Sequence, residues 1–411
     1  MSKKHLIVIG AGMVGLSCAL HLQKRGHRVT LIDKRGFGNG SSNHNACILS
    51  VSSVIPVATP GLIKQIPKYL TMRNSPLIIR YGYFPRVMPW LLRFLWAGRH
   101  SNMQKTSTLL KSLQKDTLGE HERLTEDHAA KNYVARKELL YVYTDRQAFL
   151  NEAYFWDTRR RNGVVFHEVE EKQLRELEPD ISDTFRFAVS VPDHGYITDT
   201  SKYLRALGEK FMEQGGNLIE DEVRRIDPGN NKVNCGQGEH AADGIVLAGG
   251  VWSAALAKQL GDTVPLESEG GYYIDLPDPG ISLSHPMLNL KFKMGITPIE
   301  TGIRFAGLVE FGGLDCPENL DVCDVLVAAA KIMYPAIRLD GMTRHRGQRP
   351  STVDSLPVIG RASRHENIYY AFGHQHVGLS TGPVTGRLIA ELIDGEATSV
   401  DIAPFSAKRF R

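Results

Sequence analysis

Residues His5 to Asp33 constrain this chain more than any other stretch. His5 to Ile9 is a short apolar run, the pattern of a strand buried on both faces. It runs straight into Gly10-Ala11-Gly12-Met13-Val14-Gly15, a G-x-G-x-x-G turn. A helical stretch follows, with Leu16, Ala19, Leu20 and Leu22 to one side and Gly26 at its end, and a second strand from Arg28 to Ile32 stops at Asp33. Each part has a mechanical task. Gly10 allows the tight turn, Gly12 lets the backbone approach a pyrophosphate, and Gly15 lets the helix pack closely on the strand. The helix N-terminus faces the phosphates, and Asp33 can accept hydrogen bonds from an adenosine ribose. A lone G-x-G-x-x-G says little, but set between two strands with an acid closing the second it predicts a dinucleotide-binding βαβ unit.

The remaining sequence has to build more than this unit. With 411 residues the chain is too long for one small core, so at least two domains are expected. Hydrophobic residues at 42% and charged residues at 23% leave enough apolar material for a sizeable core. Its 49 basic and 45 acidic side chains are too balanced to argue for a nucleic-acid partner. The five cysteines, Cys18, Cys47, Cys235, Cys316 and Cys323, are scattered and form no C-x-x-C pair. That usage predicts free thiols in a reducing compartment, with neither a disulfide framework nor a metal site. A buried strand already beginning at His5 leaves no room for a signal peptide, and no apolar run reaches membrane-spanning length. A cytoplasmic protein is the expectation.

Organisation alternates along the chain. Arg35 to Ala46 is a polar, glycine-rich loop of the kind that lies against a ligand. Pro56 to Asn102 is apolar and punctuated by proline, and Lys105 to Ala135 is helical and charged. Strands and helices mix between Leu139 and Pro192. A helix is predicted from Thr198 to Gln214, with Thr198 or Thr200 as its N-cap and Gly215-Gly216 as its stop. Strands are expected at Asn217 to Ile226 and Gly244 to Ala248, and Pro265 to Phe311 reads as an antiparallel sheet. Val322 to Met333 is helical; a final strand at Ile368 to Phe372 leads through a glycine loop to a helix from about Pro383 to Ile393.

Four ordered motifs are less generic. They are the N-terminal unit, the strand Asp243 to Ser253, the segment Gly347-Gln348-Arg349-Pro350 running to Gly360, and Gly373-His374-Gln375-His376-Val377-Gly378-Leu379-Ser380. The series resembles the D-amino-acid oxidase superfamily of flavoproteins and, within it, the bacterial D-amino-acid dehydrogenases, with glycine oxidase more distant. The loop Gly40-Ser41-Ser42-Asn43-His44-Asn45-Ala46 is similar to that family's G-[ST]-S-x-x-N-A-G loop, which wraps the flavin. The likeness spans nearly the whole length and is weakest from Lys105 to Asp193. It implies an α/β fold: a Rossmann-like FAD-binding domain of residues 1–50, 198–264 and 345–411, and a second α+β substrate domain of residues 51–197 and 265–344 built on an antiparallel sheet.

The resemblance also implies FAD as the cofactor. Asp33 takes the ribose with Lys34 beside it, Val223 contacts the adenine side through its backbone, and Ala248, Gly249 and Trp252 lie close to the cofactor. The turn residues Gly10, Gly12, Met13, Val14 and Gly15 and the loop residues Ser41, Ser42, His44, Asn45 and Ala46 hold it. Gly373, Gly378, Leu379, Ser380 and Thr381 place backbone N–H groups and a helix N-terminus at the flavin edge where charge gathers on reduction. In some related amine dehydrogenases a histidine in this loop bonds the flavin covalently. Here Asn43 and Cys47 depart from that pattern, so His44 is expected to contact the cofactor without a bond.

On the substrate side the resemblance assigns Arg349, in the R-P-x-T/S-x-D-x-x-P-x-I-G motif, to the substrate carboxylate, where a bidentate guanidinium gives charge and orientation together. His345 either faces the active site or packs. The family's usual tyrosine is missing near Phe292 to Pro298, and Tyr272 or Tyr273 from the neighbouring strand is the substitute. His374 and His376 either line the pocket or are hydrogen-bonded structural histidines. The implied activity is oxidation of the C–N bond of a D-amino or cyclic D-imino acid by hydride transfer, with electrons passed to a quinone or another carrier. The alternatives are an oxidase of N-methylated or glycine-like amino acids using O₂, and a 2-hydroxy acid dehydrogenase. Trp90, Leu91, Leu92, Phe94, Leu95 and Trp96 interleaved with Arg86, Arg93 and Arg99 suit either an interfacial helix on the inner face of the membrane or a core or subunit contact. Homo-oligomerisation stays open.

Overall fold

A computed structural model describes residues 3–64, 66 and 75–411. Of the apolar stretch from Pro56 to Asn102, residue 65 and residues 67–74 therefore lie outside the described part. The βαβ unit is present: strand His5–Ile9, helix Met13–Lys24, which stops two residues before Gly26, and strand Arg28–Asp33, which takes in Asp33. It nucleates a six-stranded sheet in the order Asn217–Glu220, Arg28–Asp33, His5–Ile9, Gly244–Leu247, His365–Phe372, Val358–Ala362. All neighbours are parallel except the last pair. Leu6, Ile7, Val8, Ile245, Val246 and Leu247 are fully buried, as a sheet covered on both faces requires.

The second sheet is larger and mainly antiparallel. Thr343–Thr352, Leu266–Leu276, Gly302–Phe311, Met294–Ile299 and Met287–Asn289 follow one another and continue into Leu139–Tyr143, Phe187–Val191 and His167–Glu170. Helix Asp324–Met333 covers one face through Leu326, Ala330 and Met333. The domain boundaries expected from sequence need correction at two places. Thr343–Thr352 pairs along its whole length with Leu266–Leu276, so residues 345–352 belong to the second sheet. Leu110, Leu113, Leu118 and Leu124, from helices His100–Leu113 and Thr117–Thr125, share a core with the first sheet, so this segment packs on the dinucleotide-binding side.

Local differences have physical causes. The helix Thr200–Glu213 is capped by Asp199, whose carboxylate accepts from Lys202 N, and not by either threonine. The strand expected over Asn217 to Ile226 breaks at Glu220, and Arg225–Asp227 joins Lys232–Cys235 and Gly238–Ala241 in a separate three-stranded sheet. The last helix begins at Gly378 and carries Pro383 inside it. Proline has no N–H for the carbonyl four residues back. That carbonyl, Leu379 O, instead meets buried His121 Nε2 at 2.9 Å, while His121 Nδ1 meets Tyr203 Oη at 2.7 Å.

Glycines let this helix and Met13–Lys24 pack backbone to backbone. A Cβ on Gly386 would stand 2.4 Å from Ser17 C, and one on Gly382 2.7 Å from Met13 Cγ. The first turn of Met13–Lys24 consequently lies beside the second turn of the last helix.

Candidate active site

The turn after the first strand is built as its spacing predicts. Gly10 sits at φ +102°, and a Cβ there would lie 2.5 Å from Ala248 O. A Cβ on Gly15 would fall 1.8 Å from Gly10 O, so only glycine lets the helix approach. The helix starts at Met13 with Gly12 as N-cap and no side-chain cap of its own, and Met13 N donates instead to Ser42 Oγ at 2.9 Å. Asp33 braces the turn, accepting from Ala11 N and Arg35 N at 2.8 Å each, and each oxygen keeps a further lone pair. Asp33, Lys34, Val223, Gly249 and Trp252 line one cleft at this end of the sheet. At Gly249 the nearest described atom to an added Cβ, chain neighbours aside, is Ser253 Oγ at 3.5 Å, so the protein itself does not crowd this point of the cleft. Lys34 Nζ stands 4.8 Å from the Trp252 ring centre and pairs with Glu222 at 3.0 Å, placing both on the rim.

The loop Gly40 to Cys47 bridges the two sheets. Ser41 Oγ donates to Gln348 O, and Asn45 bonds back to Ser42 O and accepts from Cys47 N at 2.6 Å. Thr297 Oγ1 donates to Ala46 O at 2.6 Å. Cys47 is in the left-handed region at φ 60°, which explains why the family pattern carries glycine there. The strain is held by Arg304, a residue sequence reasoning missed. It forms a two-point pair with Asp275 at 2.8 Å on each arm, donates to Asn45 O at 3.1 Å and reaches Cys47 Sγ at 3.3 Å. An arginine inside the apolar run Ile303 to Ala306 was the available signal, since a buried guanidinium requires partners.

Strand alternation sorts the substrate-side residues. Glu269, Gly271, Tyr273 and Asp275 pair with Arg349, Gly347, His345 and Thr343, so these side chains share one face. His44 packs on that face: its Nδ1 lies 3.1 Å from Tyr273 Oη, and Tyr273 stacks on His345 with ring centres 4.6 Å apart. Burial first, then the His345 and Arg304 charges, lower the His44 pKa to about 4. Tyr272 points the other way. Its hydroxyl donates to fully buried Glu310 at 2.6 Å, beneath Arg346, so the expectation that it lines the substrate site is corrected. Tyr273 occupies the face shared with Arg349.

His374 is corrected as well. It is buried, its Nε2 meets Thr385 Oγ1 at 3.0 Å inside the last helix, and burial lowers its pKa to about 3. His376 is exposed between buried Gln375 and Val377. Burial and the Arg349 charge favour its neutral form and Glu269 opposes them, which places His376 near that pair. Gly373 turns at φ +81° before the helix, which starts at Gly378 without a side-chain cap. Ser380 Oγ accepts from Ser50 N at 3.0 Å and Thr381 Oγ1 donates to Val377 O at 2.8 Å, so both hydroxyls are spent on protein. Only backbone donors of this first turn remain for a ligand.

Arg349 is held at one end. Nη1 donates to Glu269 Oε1 at 2.6 Å and to Leu308 O at 2.9 Å, and Nη2 reaches Gly307 O at 3.4 Å. Its Nε has no partner among the described residues.

Two neighbouring helices whose N-cap residues supply no side-chain cap, a glycine turn and a cleft beside Gly249 fit an anionic dinucleotide, and define a nucleotide-binding site. Residues 5–392 match the FAD dependent oxidoreductase family model, and the chain belongs to this family. The protein is an enzyme with FAD as its cofactor. The chain is 35% identical over 417 residues to a D-amino-acid oxidase of Bradyrhizobium diazoefficiens, covering 99% of each. It is 25% identical to a D-amino acid dehydrogenase of Dechloromonas aromatica over 95% of this chain and 97% of that one. Glycine oxidase from Geobacillus kaustophilus shares the fold, with TM-score 0.74 at 21% identity over 100% of this chain and 99% of its own.

Proposed function

We propose that the enzyme oxidises the C–N bond of a D-amino or cyclic D-imino acid. The observation that carries this reading is Arg349, whose Nη1 is taken by Glu269 and Leu308 O while its Nε has no partner among the described residues. The side-on edge of a guanidinium, Nε with Nη2, matches the two oxygens of a carboxylate. Arg349 fixes the substrate carboxylate and so orients the α-carbon. When bound, FAD supplies the two-electron acceptor. The first turns at Met13 and Gly378 present N–H donors to its negative parts, with Asp33 on the ribose. Tyr273, held by His44 and stacked on His345, closes the wall of the site. The names of the two D-amino-acid relatives support the substrate class.

The acceptor we propose is a quinone or similar carrier. On helix Phe84–Ala97, Val87, Trp90 and Phe94 face the core, while Phe84, Leu92 and Trp96 stand out beside exposed Arg86 and Arg93. Tyr81 is 96% exposed just before it. An apolar surface flanked by two arginines suits peripheral contact with an anionic membrane. Among the described residues no helix is long and apolar enough to cross one. A second reading, use of O₂, is favoured by the oxidase name of the relative at 35% identity. Turnover of a D-amino-acid panel with a quinone or dye, against peroxide release in air, separates the two: peroxide formed stoichiometrically at a comparable rate would overturn the dehydrogenase reading.

A further inference from the structure

We infer that Glu269 sets the charge of the substrate it admits: by neutralising Arg349, it makes the site accept a zwitterion and disfavour a carboxylate that lacks an amine. The inference rests on the proposal that Arg349 holds the substrate carboxylate. Glu269 and Arg349 stand directly opposite on adjacent strands. Glu269 is 6% exposed; its Oε1 takes Arg349 Nη1 at 2.6 Å and its Oε2 takes Ser351 Oγ at 2.9 Å. The arrangement is built into the backbone. Leu308, a non-glycine residue at φ 63°, lies where the pairing of Leu266–Leu276 with Gly302–Phe311 shifts register between Gly270 and Tyr272. There the carbonyls of Gly307 and Leu308 both face the guanidinium. Strain of this kind persists only where surrounding contacts enforce it. Gly271 leaves space for the guanidinium, since a Cβ there would fall 2.3 Å from Arg349 Nη2.

The charge count follows. Arg349 with Glu269 is neutral before any ligand arrives. Glu267, further along the same face, accepts from Tyr83 Oη at 2.9 Å and brings no positive charge, and His376 favours its neutral form. A bare carboxylate therefore adds an unbalanced negative charge to a mostly buried place, which is costly. An amino or imino acid brings its own cation and adds no net charge. Its ammonium is drawn to the Glu269 side, fixing which substituent of the α-carbon lies there. Glu269 thus selects amino acids over 2-hydroxy acids of the same skeleton, acting through charge and through its hold on Arg349.

The test uses the FAD-loaded enzyme and Glu269→Gln, which preserves shape and an acceptor for Arg349. Benzoate affinity is read from the perturbed flavin spectrum, and D-alanine affinity from anaerobic flavin bleaching. Removing a charge a few ångströms away is expected to tighten benzoate by about tenfold or more and to leave D-alanine binding unimproved. A purely structural Glu269 would shift both ligands in parallel, and that result, or weaker benzoate binding, would overturn the inference. Independently of any variant, the unaltered enzyme should bind D-lactate about tenfold or more weakly than D-alanine; equal affinities would also overturn it. Failure of every amino acid to bleach the flavin would instead overturn the proposed function, while tighter benzoate binding by Glu269→Gln would still support the charge balance.

Discussion

Replacing Arg349 by lysine isolates the contact on which the substrate reading depends. Lysine keeps a positive charge beside Glu269, so the buried carboxylate is not stranded as it would be in Arg349→Ala, where an uncompensated buried charge costs about 3–5 kcal/mol of stability. What lysine cannot supply is the planar edge that remains on Arg349 once Nη1 is committed to Glu269 and Leu308 O. Truncating one side of a buried, hydrogen-bonded charge pair costs about 2–5 kcal/mol. In kcat/KM that is a loss of about 30-fold to about 5,000-fold. The glycine turn at Gly10 and the two helix N-termini do not involve Arg349, so flavin content should stay at the unaltered level. Anaerobic stopped-flow reduction by a saturating series of D-amino acids gives both parameters, and the visible spectrum gives the flavin content. A variant with full flavin and near-normal kcat/KM would refute the carboxylate assignment.

Three other outcomes follow from the geometry. His44 is turned into the sheet face by Tyr273 and His345, so acid precipitation should release all the yellow colour into the supernatant; a coloured pellet, or a mass heavier by one FAD, would show a covalent bond. His121 and His374 are buried with pKa values lowered to about 4 and about 3, below an unfolded value of about 6.5, so the unfolded chain binds their protons first and stability falls as pH drops through that interval. The loss is on the order of 1–3 kcal/mol per histidine, read as Tm from pH 7 downward, with a shallower slope for His121→Gln; a flat profile would contradict it. Gly386→Ala puts a Cβ 2.4 Å from Ser17 C and should cost about 1–3 kcal/mol and weaken FAD retention, checked by thermal melts with and without added FAD; an unchanged Tm would show that the helix pair can separate freely.

How much was legible in the sequence follows from how local each interaction is. The unit from His5 to Asp33 lies within one βαβ turn, so glycine spacing and strand pattern specify it, down to Gly10 and Gly15 as the close-approach points. The uncapped start at Gly378 is also local, yet Pro383 pulled the expected start of that helix five residues late. The carbonyl it leaves free is satisfied by His121, which is 258 residues away from Leu379. Tyr272 and Tyr273 could not be separated before the register of Leu266–Leu276 was known, because one step along a strand reverses the face. Glu269 escaped notice for the same reason: only cross-strand pairing sets it against Arg349. Arg304 was missed although a buried charge in an apolar strand announces a partner, because Asp275 and the Cys47 loop arrive from distant segments. The small sheet at Arg225–Ala241 has short, polar strands that carry little periodicity.

Mixing the purified, FAD-loaded protein anaerobically with a panel of D- and L-amino acids, cyclic D-imino acids and 2-hydroxy acids, and following the flavin absorbance, shows whether this flavoenzyme acts on amino acids. D-amino or D-imino acids should bleach the flavin, and 2-hydroxy acids of the same skeleton should not. A flavin that dithionite reduces but no amino or imino acid does, or one bleached by 2-hydroxy acids instead, would contradict that activity.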